Sequence, residues 1–289
     1  MGTSSLSPKE NFARAIRCPD DEINLGAAAL YAASSEFPDL DVIAYQGRIA
    51  QFGKTVKDLL PANYSNFDFV DAMHEVLVGK AGFTGDSKDY FDPGNSHLNE
   101  VIDHLKGNPV TLSIFYIEVA RVTGEKVCGI SLRKHFVVVV GTGEDRIYID
   151  PFHSGGLLSR KECITNILGK DNFKNGDLDD LERKFLKPAS NRAILRRQLS
   201  NLKVAHEKHK QYDLALSASE RIQMVDPTNL RNLSELARLQ TKVGNFGDAL
   251  DSLTQFLERA PAGSNTEQAE SAIRKLQALT MRGSDNSSD

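Results

Sequence analysis

Cysteine is scarce in this chain. Cys18, Cys128 and Cys163 are its three thiols, scattered over 289 residues, too few for a disulfide framework and in keeping with a reducing compartment. Positive charge is not in excess either. The formal net charge is −4, so the basic footprint that selects nucleic acid or an anionic membrane is missing, and neither partner is expected. No apolar run approaches the roughly 20 residues that a membrane-spanning helix needs, so membrane insertion is not expected. The opening MGTSSLSPKENFARAIR lacks a hydrophobic signal core. The expectation is therefore a soluble protein, cytoplasmic, or in the plastid (chloroplast) stroma if the chain is a mature organellar form. Gly-rich phosphate loops, paired zinc motifs and nucleotide signatures are absent too, and no cofactor and no metal is expected.

What is present is an ordinary globular composition, 26% charged and 40% hydrophobic, in a chain long enough for one large or two ordinary domains. Residues 1–20 read as a polar, flexible lead-in. From Asp21, a candidate cap, the pattern turns helical through Ile23, Leu25, Ala28, Leu30 and Tyr31. FPDLD at 37–41 breaks it, and Asp39 or Asp41 can cap a second helix carrying Val42, Tyr45, Ile49, Phe52, Val56 and Leu59. A third helix falls near 66–79 with Phe69, Met73, Val76 and Leu77 inward. Residues 81–96 read as loop, and HLNEVIDHLK as a short helix.

The stretch from Gly107 to Gly156 organises the rest. Asn108 is a good N-cap, Pro109 suits the first helical position, and Leu112, Phe115, Tyr116, Val119 and Ala120 share a face up to a stop at Gly124. Three short strands follow, around Val127–Leu132, Phe136–Val140 and Ile147–Ile149, bounded by Gly and charged turns. A helix start, a strand opening on His135 and a strand closing on Asp150 can then converge on one point.

On these residues, GNPVTLSIFYIEVARVTG, KHFVVVV and YIDPFHSGG, with NSHLNEVIDHLKGNP and FPDLDVIAY upstream and LLSRKEC downstream, the chain resembles the transglutaminase-like domain of the SirB1 family, whose members often carry tetratricopeptide repeats. The resemblance implies a papain-like site, in which a Cys at a helix start is activated by a strand His that an Asp orients. The helix dipole and free N–H groups lower the thiol pKa there. Carried over residue by residue, His135 and Asp150 match the His and the Asp, whereas the Cys position falls on Pro109. Proline has no nucleophile, so the expectation is a pseudoenzyme in which these three are vestigial.

Other nucleophiles have to be weighed. Thr111 and Ser113 lie near the helix start, but neutral hydroxyls need stronger activation than a thiol. Cys128 sits on a strand expected to neighbour that of His135, although a small buried hydrophobe is the commoner fate of such a residue. His135 can equally be a half-buried residue bonded to backbone, and Asp150 a strand terminator. His97, Glu100 and His104 share one helical face and could offer metal ligands, with a solvated face as the plainer reading. His153, beside two glycines, reads as part of a tight turn at the pocket rim.

Beyond the polar segment 171–189, taken as a linker, the chain is helical over 190–280. Tyr212 and Phe246, Ala215 and Ala249, and Pro227 and Pro261 are each 34 residues apart, the tetratricopeptide period. Residues 281–289 read as a disordered tail. The expected architecture is α+β and mostly helical: a transglutaminase-like (papain-like) domain over 21–170 with a small antiparallel sheet, then helical repeats resembling tetratricopeptide units. The expected function is that of a noncatalytic adaptor or regulator that binds protein partners through its repeats at Lys203, Glu207, Glu235 and Arg238. The alternative is a cysteine-independent amide hydrolase or acyl transferase using His135 and Asp150.

Overall fold

The structure, a computed structural model, describes residues 6–169, 178–263 and 266–285. It divides into two compact units, residues 1–198 and 199–289.

The first unit opens with helix α1 (Pro8–Ala15). Ser7 and Glu10 close a capping box and Phe12 is fully buried, so the described part of the expected flexible lead-in is an anchored helix. Capping boxes of this kind satisfy two free amides at once. Asp20–Glu22 is a 3₁₀ turn, and the cap of α2 (Leu25–Ala33) is Asn24, not Asp21: its side chain accepts from Ala27 N–H. Helix α3 (Val42–Leu59) starts at Asp41, which accepts from Ala44 N–H. Helix α4 (Asn66–His74) continues into a π-helical turn at Glu75–Lys80. Strand β1 (Thr84–Gly85) pairs in parallel with β2 (Lys106–Gly107), on either side of helix α5 (Leu98–His104).

Helix α6 (Pro109–Thr123) is the hub of this unit. Twelve of its 15 residues are buried, the signature of a helix surrounded by protein on all sides. Phe115 stacks with Phe52 of α3 and with Phe83, at centroid distances of 5.4 and 4.4 Å. The helix ends on Gly124 at φ +96°, a left-handed cap that only glycine adopts freely. Strands β3 (Val127–Leu132), β4 (His135–Val140), β5 (Ile147–Asp150) and β6 (Gly156–Leu158) form one antiparallel meander in that order. The fourth strand, too short and glycine-flanked to stand out, adds to the three expected.

On one face of this sheet, Val137, Val139 and Tyr148 pack with Cys163 and Ile164 of α7 (Arg160–Leu168). The expected linker is not loose where it is described. Residues 178–185 form helix α8, whose buried Glu182 accepts from Arg146, Tyr148 and Arg160 at 3.0, 2.7 and 2.9 Å. Ala189 N–H then bonds the carbonyl of Gly129 in β3. Residues 171–177 of that segment, with residue 170 before it, lie outside the described residues.

The unit boundary falls within α9 (Asn191–Lys208). The second unit continues with α10 (Tyr212–Val225), α11 (Leu230–Lys242), α12 (Phe246–Arg259) and α13 (Glu267–Asp285). Helix α13 thus runs into the expected tail, of which residues 286–289 lie outside the described residues. Ala215 and Ala249, one period apart, are both fully buried, because a methyl is all the space that closely packed helices leave. Buried polar ties join successive helices: Asn232 bonds Ser219 across α10 and α11, and Ser252 bonds Gln240 across α11 and α12.

Candidate functional site

His135 is the first residue of β4, entered through a two-residue turn in which Lys134 takes φ +60°. The β4–β5 register pairs Val138 with Ile149 and Val139 with Tyr148, which sets His135 and Asp150 diagonally across the two strands on one face. Long side chains reach across such a diagonal. His135 Nε2 stands 2.7 Å from Asp150 Oδ2. The sequence-predicted pair is therefore brought together.

Asp150 is buried and fully occupied. A second imidazole, His153 Nδ1, also lies 2.7 Å from Oδ2, while Oδ1 accepts from the backbone N–H groups of Phe152 and His153. Gly155 N–H closes the turn on the Asp150 carbonyl at 2.9 Å. Burial pushes the carboxyl pKa up, but hydrogen bonds and charge from His135 and His153 outweigh it, and the group sits below the usual carboxylate range. His153 is mostly exposed, whereas His135 is largely covered, with the ring of Phe152 set edge-on to both. The sequence marks His153 only as a turn residue. The signal that it shares Asp150 is the spacing of three within DPFH, a turn short enough to fold back on its own carboxylate.

Tyr116 of α6 approaches the same turn. Its hydroxyl is buried, has no hydrogen-bond partner, and lies 3.4 Å from where a Cβ on Gly155 would stand. Burial, and then the charge of Asp150, push its pKa up.

The start of α6 is closed. Asn108 Oδ1 accepts from the N–H groups of Val110 and Thr111, both at 3.0 Å, and from the Thr111 hydroxyl. The amides that would lower a thiol pKa are thus already capped, and Pro109 adds none. Ser113 Oγ donates to the Pro109 carbonyl at 2.7 Å. Both hydroxyls are fully buried. Cys128 pairs with Val139 and packs beside the Val137–Cys163 cluster, four residues along β4 from His135, roughly 13 Å at a strand's rise. Cys163 is buried, and burial pushes its thiol up to about 12. Among the described residues, none of these groups hydrogen-bonds to His135.

The helical-face trio does not assemble. His97 is the buried N-cap residue of α5 and faces Glu36 at 3.2 Å, while the exposed His104 pairs with Glu100 at 3.3 Å. The four expected partner-binding residues do meet, but each other: Lys203 bonds Glu235 at 3.4 Å, and Arg238 bonds both Glu235, at 2.9 Å, and Glu207. They form a charge ladder between α9 and α11 rather than a row of unpaired contacts. Beside it, α11, α12 and α13 enclose a cleft of about 520 Å³ walled by Ser234, Ala237, Arg238, Lys242 and Ala272.

A meander of strands around a buried central helix, with a strand His bonded to the Asp that ends the next strand, defines a transglutaminase-like architecture. The transglutaminase-like superfamily profile matches residues 43–200, more than half of the chain, and the chain belongs to that superfamily. A tetratricopeptide-repeat profile matches residues 202–274. Similar curated proteins include a UPF0162 protein of Xylella fastidiosa, 28% identical over 86% of this chain and 88% of its own length. A UPF0162 protein of Vibrio cholerae is 26% identical over 71% of this chain and 75% of its own. Human F-box only protein 21 is 31% identical over 32% of this chain and 16% of its own. No solved structure matches the chain. None of the helices is long and apolar enough to cross a membrane, among the described residues.

Proposed function

We propose that this chain is a SirB1-type protein in which a noncatalytic transglutaminase-like domain is joined to a protein-binding repeat unit, acting as an adaptor or regulator. The observation that carries this reading is the closed start of α6. Acyl transfer needs a nucleophile within hydrogen-bond reach of its base, roughly 3 Å. Here Pro109 stands at the thiol position, Asn108 occupies the helix amides, and Thr111 and Ser113 spend their hydroxyls on Asn108 and the Pro109 carbonyl. The repeat unit supplies the other half of the reading, since stacked helical repeats present extended surfaces to partners, and the α11–α13 cleft has exposed positions to offer one.

The alternative is a cysteine-independent amide hydrolase or acyl transferase, and one observation favours it: the His135–Asp150 pair is intact, at 2.7 Å. A single comparison separates the two. Wild type, His135→Ala and the exposed cleft variant Ser234→Glu/Lys242→Glu are used as baits in a native extract. An adaptor recovers the same partner with wild type and His135→Ala and loses it with the cleft variant. A partner or covalent adduct that depends on His135 sinks the adaptor reading and supports the enzyme.

A further inference from the structure

His135 Nε2, His153 Nδ1 and Asp150 Oδ2 all lie within 4.8 Å of one another, and both nitrogens face the same oxygen at 2.7 Å. We propose that these three residues form a binding site for a divalent first-row transition-metal ion, a two-histidine, one-carboxylate set with its open positions toward solvent on the His153 side. The inference stands apart from the adaptor reading, because an ion can be held by a protein that transfers no acyl group.

As hydrogen bonds, the two contacts require each ring to carry its proton on the nitrogen that faces Asp150. With each ring neutral and its proton on the other nitrogen, reached by release from an imidazolium or by tautomer exchange through solvent, two imidazole lone pairs and a carboxylate are aimed into one space, the ligand state that metal binding requires. Metal–nitrogen bonds of roughly 2.0–2.1 Å place ligand atoms roughly 3.0–3.4 Å apart. The nitrogens then have to withdraw from Oδ2 by about half an ångström on that same geometry. His153 has the freedom to do so, with its side chain 68% exposed.

Asp150 has no such freedom, and that also suits a ligand. Its other oxygen accepts from the Phe152 and His153 amides, the kind of outer contact that fixes a ligating carboxylate. Two imidazoles and one carboxylate suit zinc, iron, cobalt or nickel better than calcium or magnesium, which take oxygen ligands. Three protein ligands also leave room for water. Tyr116, whose buried hydroxyl has no hydrogen-bond partner, stands against the same turn. The helical face of His97, Glu100 and His104 offers no such set, since His97 and His104 turn to different carboxylates.

The test uses tag-free, full-length protein freed of metal by chelation. It is titrated with Co²⁺, followed by visible absorption, and back-titrated with Zn²⁺. The expected result is one Co²⁺ per chain, displaced by Zn²⁺, and bound at least about tenfold more weakly by His153→Ala. Loss of a ligand should cost no less than loss of an outer partner, roughly ten- to a hundredfold. In the wild type, Co²⁺ should broaden the imidazole signals of His135 and His153 before that of the exposed His104, a readout that does not depend on any variant folding. Equal affinity in wild type and a folded His153→Ala, or broadening of His104 first, overturns the site. Absence of Co²⁺ absorption at millimolar metal overturns it as well.

Discussion

On the proposed correspondence, residue 109 is where a nucleophile would have to stand. Placing a thiol there by Pro109→Cys should not give a reactive one, because the position is buried and the Val110 and Thr111 amides already bond Asn108. A thiolate without those donors has a pKa at or above that of free cysteine, about 8.5. Alkylation of the introduced thiol by iodoacetamide is expected to be no faster than that of a free thiol at neutral pH. Pairing with Asn108→Ala, which frees the amides, should raise the rate, and rapid labelling of Pro109→Cys alone would contradict the argument. At this scale the sequence carried the pair but not its third member. His135 and Asp150 were marked by strand ends and a following proline. The spacing of three in DPFH permits the fold-back of His153, but the fold-back also needs the backbone angles of the turn, with Ser154 at φ +52° and Gly155 at φ +68°, which spacing alone does not fix.

Between elements, α3 and α6 approach closely at Gly53. A Cβ on Gly53 would stand 2.4 Å from Val122 Cβ and 2.8 Å from the Val119 carbonyl. Gly53→Ala is therefore expected to destabilise the protein by about 1–3 kcal/mol, as overpacking does, read as a fall in melting temperature. Val122→Ala should not rescue it, because the offending atom is one that every residue but glycine keeps. Helix α8 makes a second prediction. Burial raises the Glu182 pKa, but hydrogen bonds from Tyr148, Arg160 and Arg146 outweigh it, so the folded value lies below the ordinary one. The unfolded chain then binds the extra proton. The stability contributed by Glu182 is present above the ordinary glutamate value of about 4.3 and fades as pH falls through the lowered folded value. Glu182→Gln should flatten the acid limb of the stability–pH curve and, by leaving Arg146 poorly paired, cost about 1–3 kcal/mol near neutrality. An unchanged acid limb would mean that the cluster is incidental. This helix escapes the sequence because its apolar stripe is short, Leu178, Leu181 and Phe185 in an otherwise charged segment, and because its buried carboxylate finds cationic and phenolic partners more than 20 residues away.

Over the whole molecule, periodicity did most of the work. Caps and the three-to-four-residue recurrence placed α3 and α6, and the 34-residue recurrence placed the repeat unit, because helices and repeats write themselves into local spacing. Charge pairing between separate helices does not. The ladder of Lys203, Glu207, Glu235 and Arg238 could be read as a row of exposed contacts but not as a set of mutual partners. Reversing Arg238 alone would set a third negative charge beside Glu207 and Glu235, so loss of partner binding in that variant would confound recognition with folding. The net charge of −4 carries its own expectation: no mobility shift of double-stranded DNA or RNA at physiological salt, where phosphate binding rests on basic side chains.

The turn after β5 has one more consequence. His153 is open to water, yet the amides of Phe152, His153 and Gly155 are all bonded to Asp150. In heavy water these three protons should persist long after those of other surface turns, so that a solvent-facing loop keeps time with the sheet interior and opens only when β4 and β5 part.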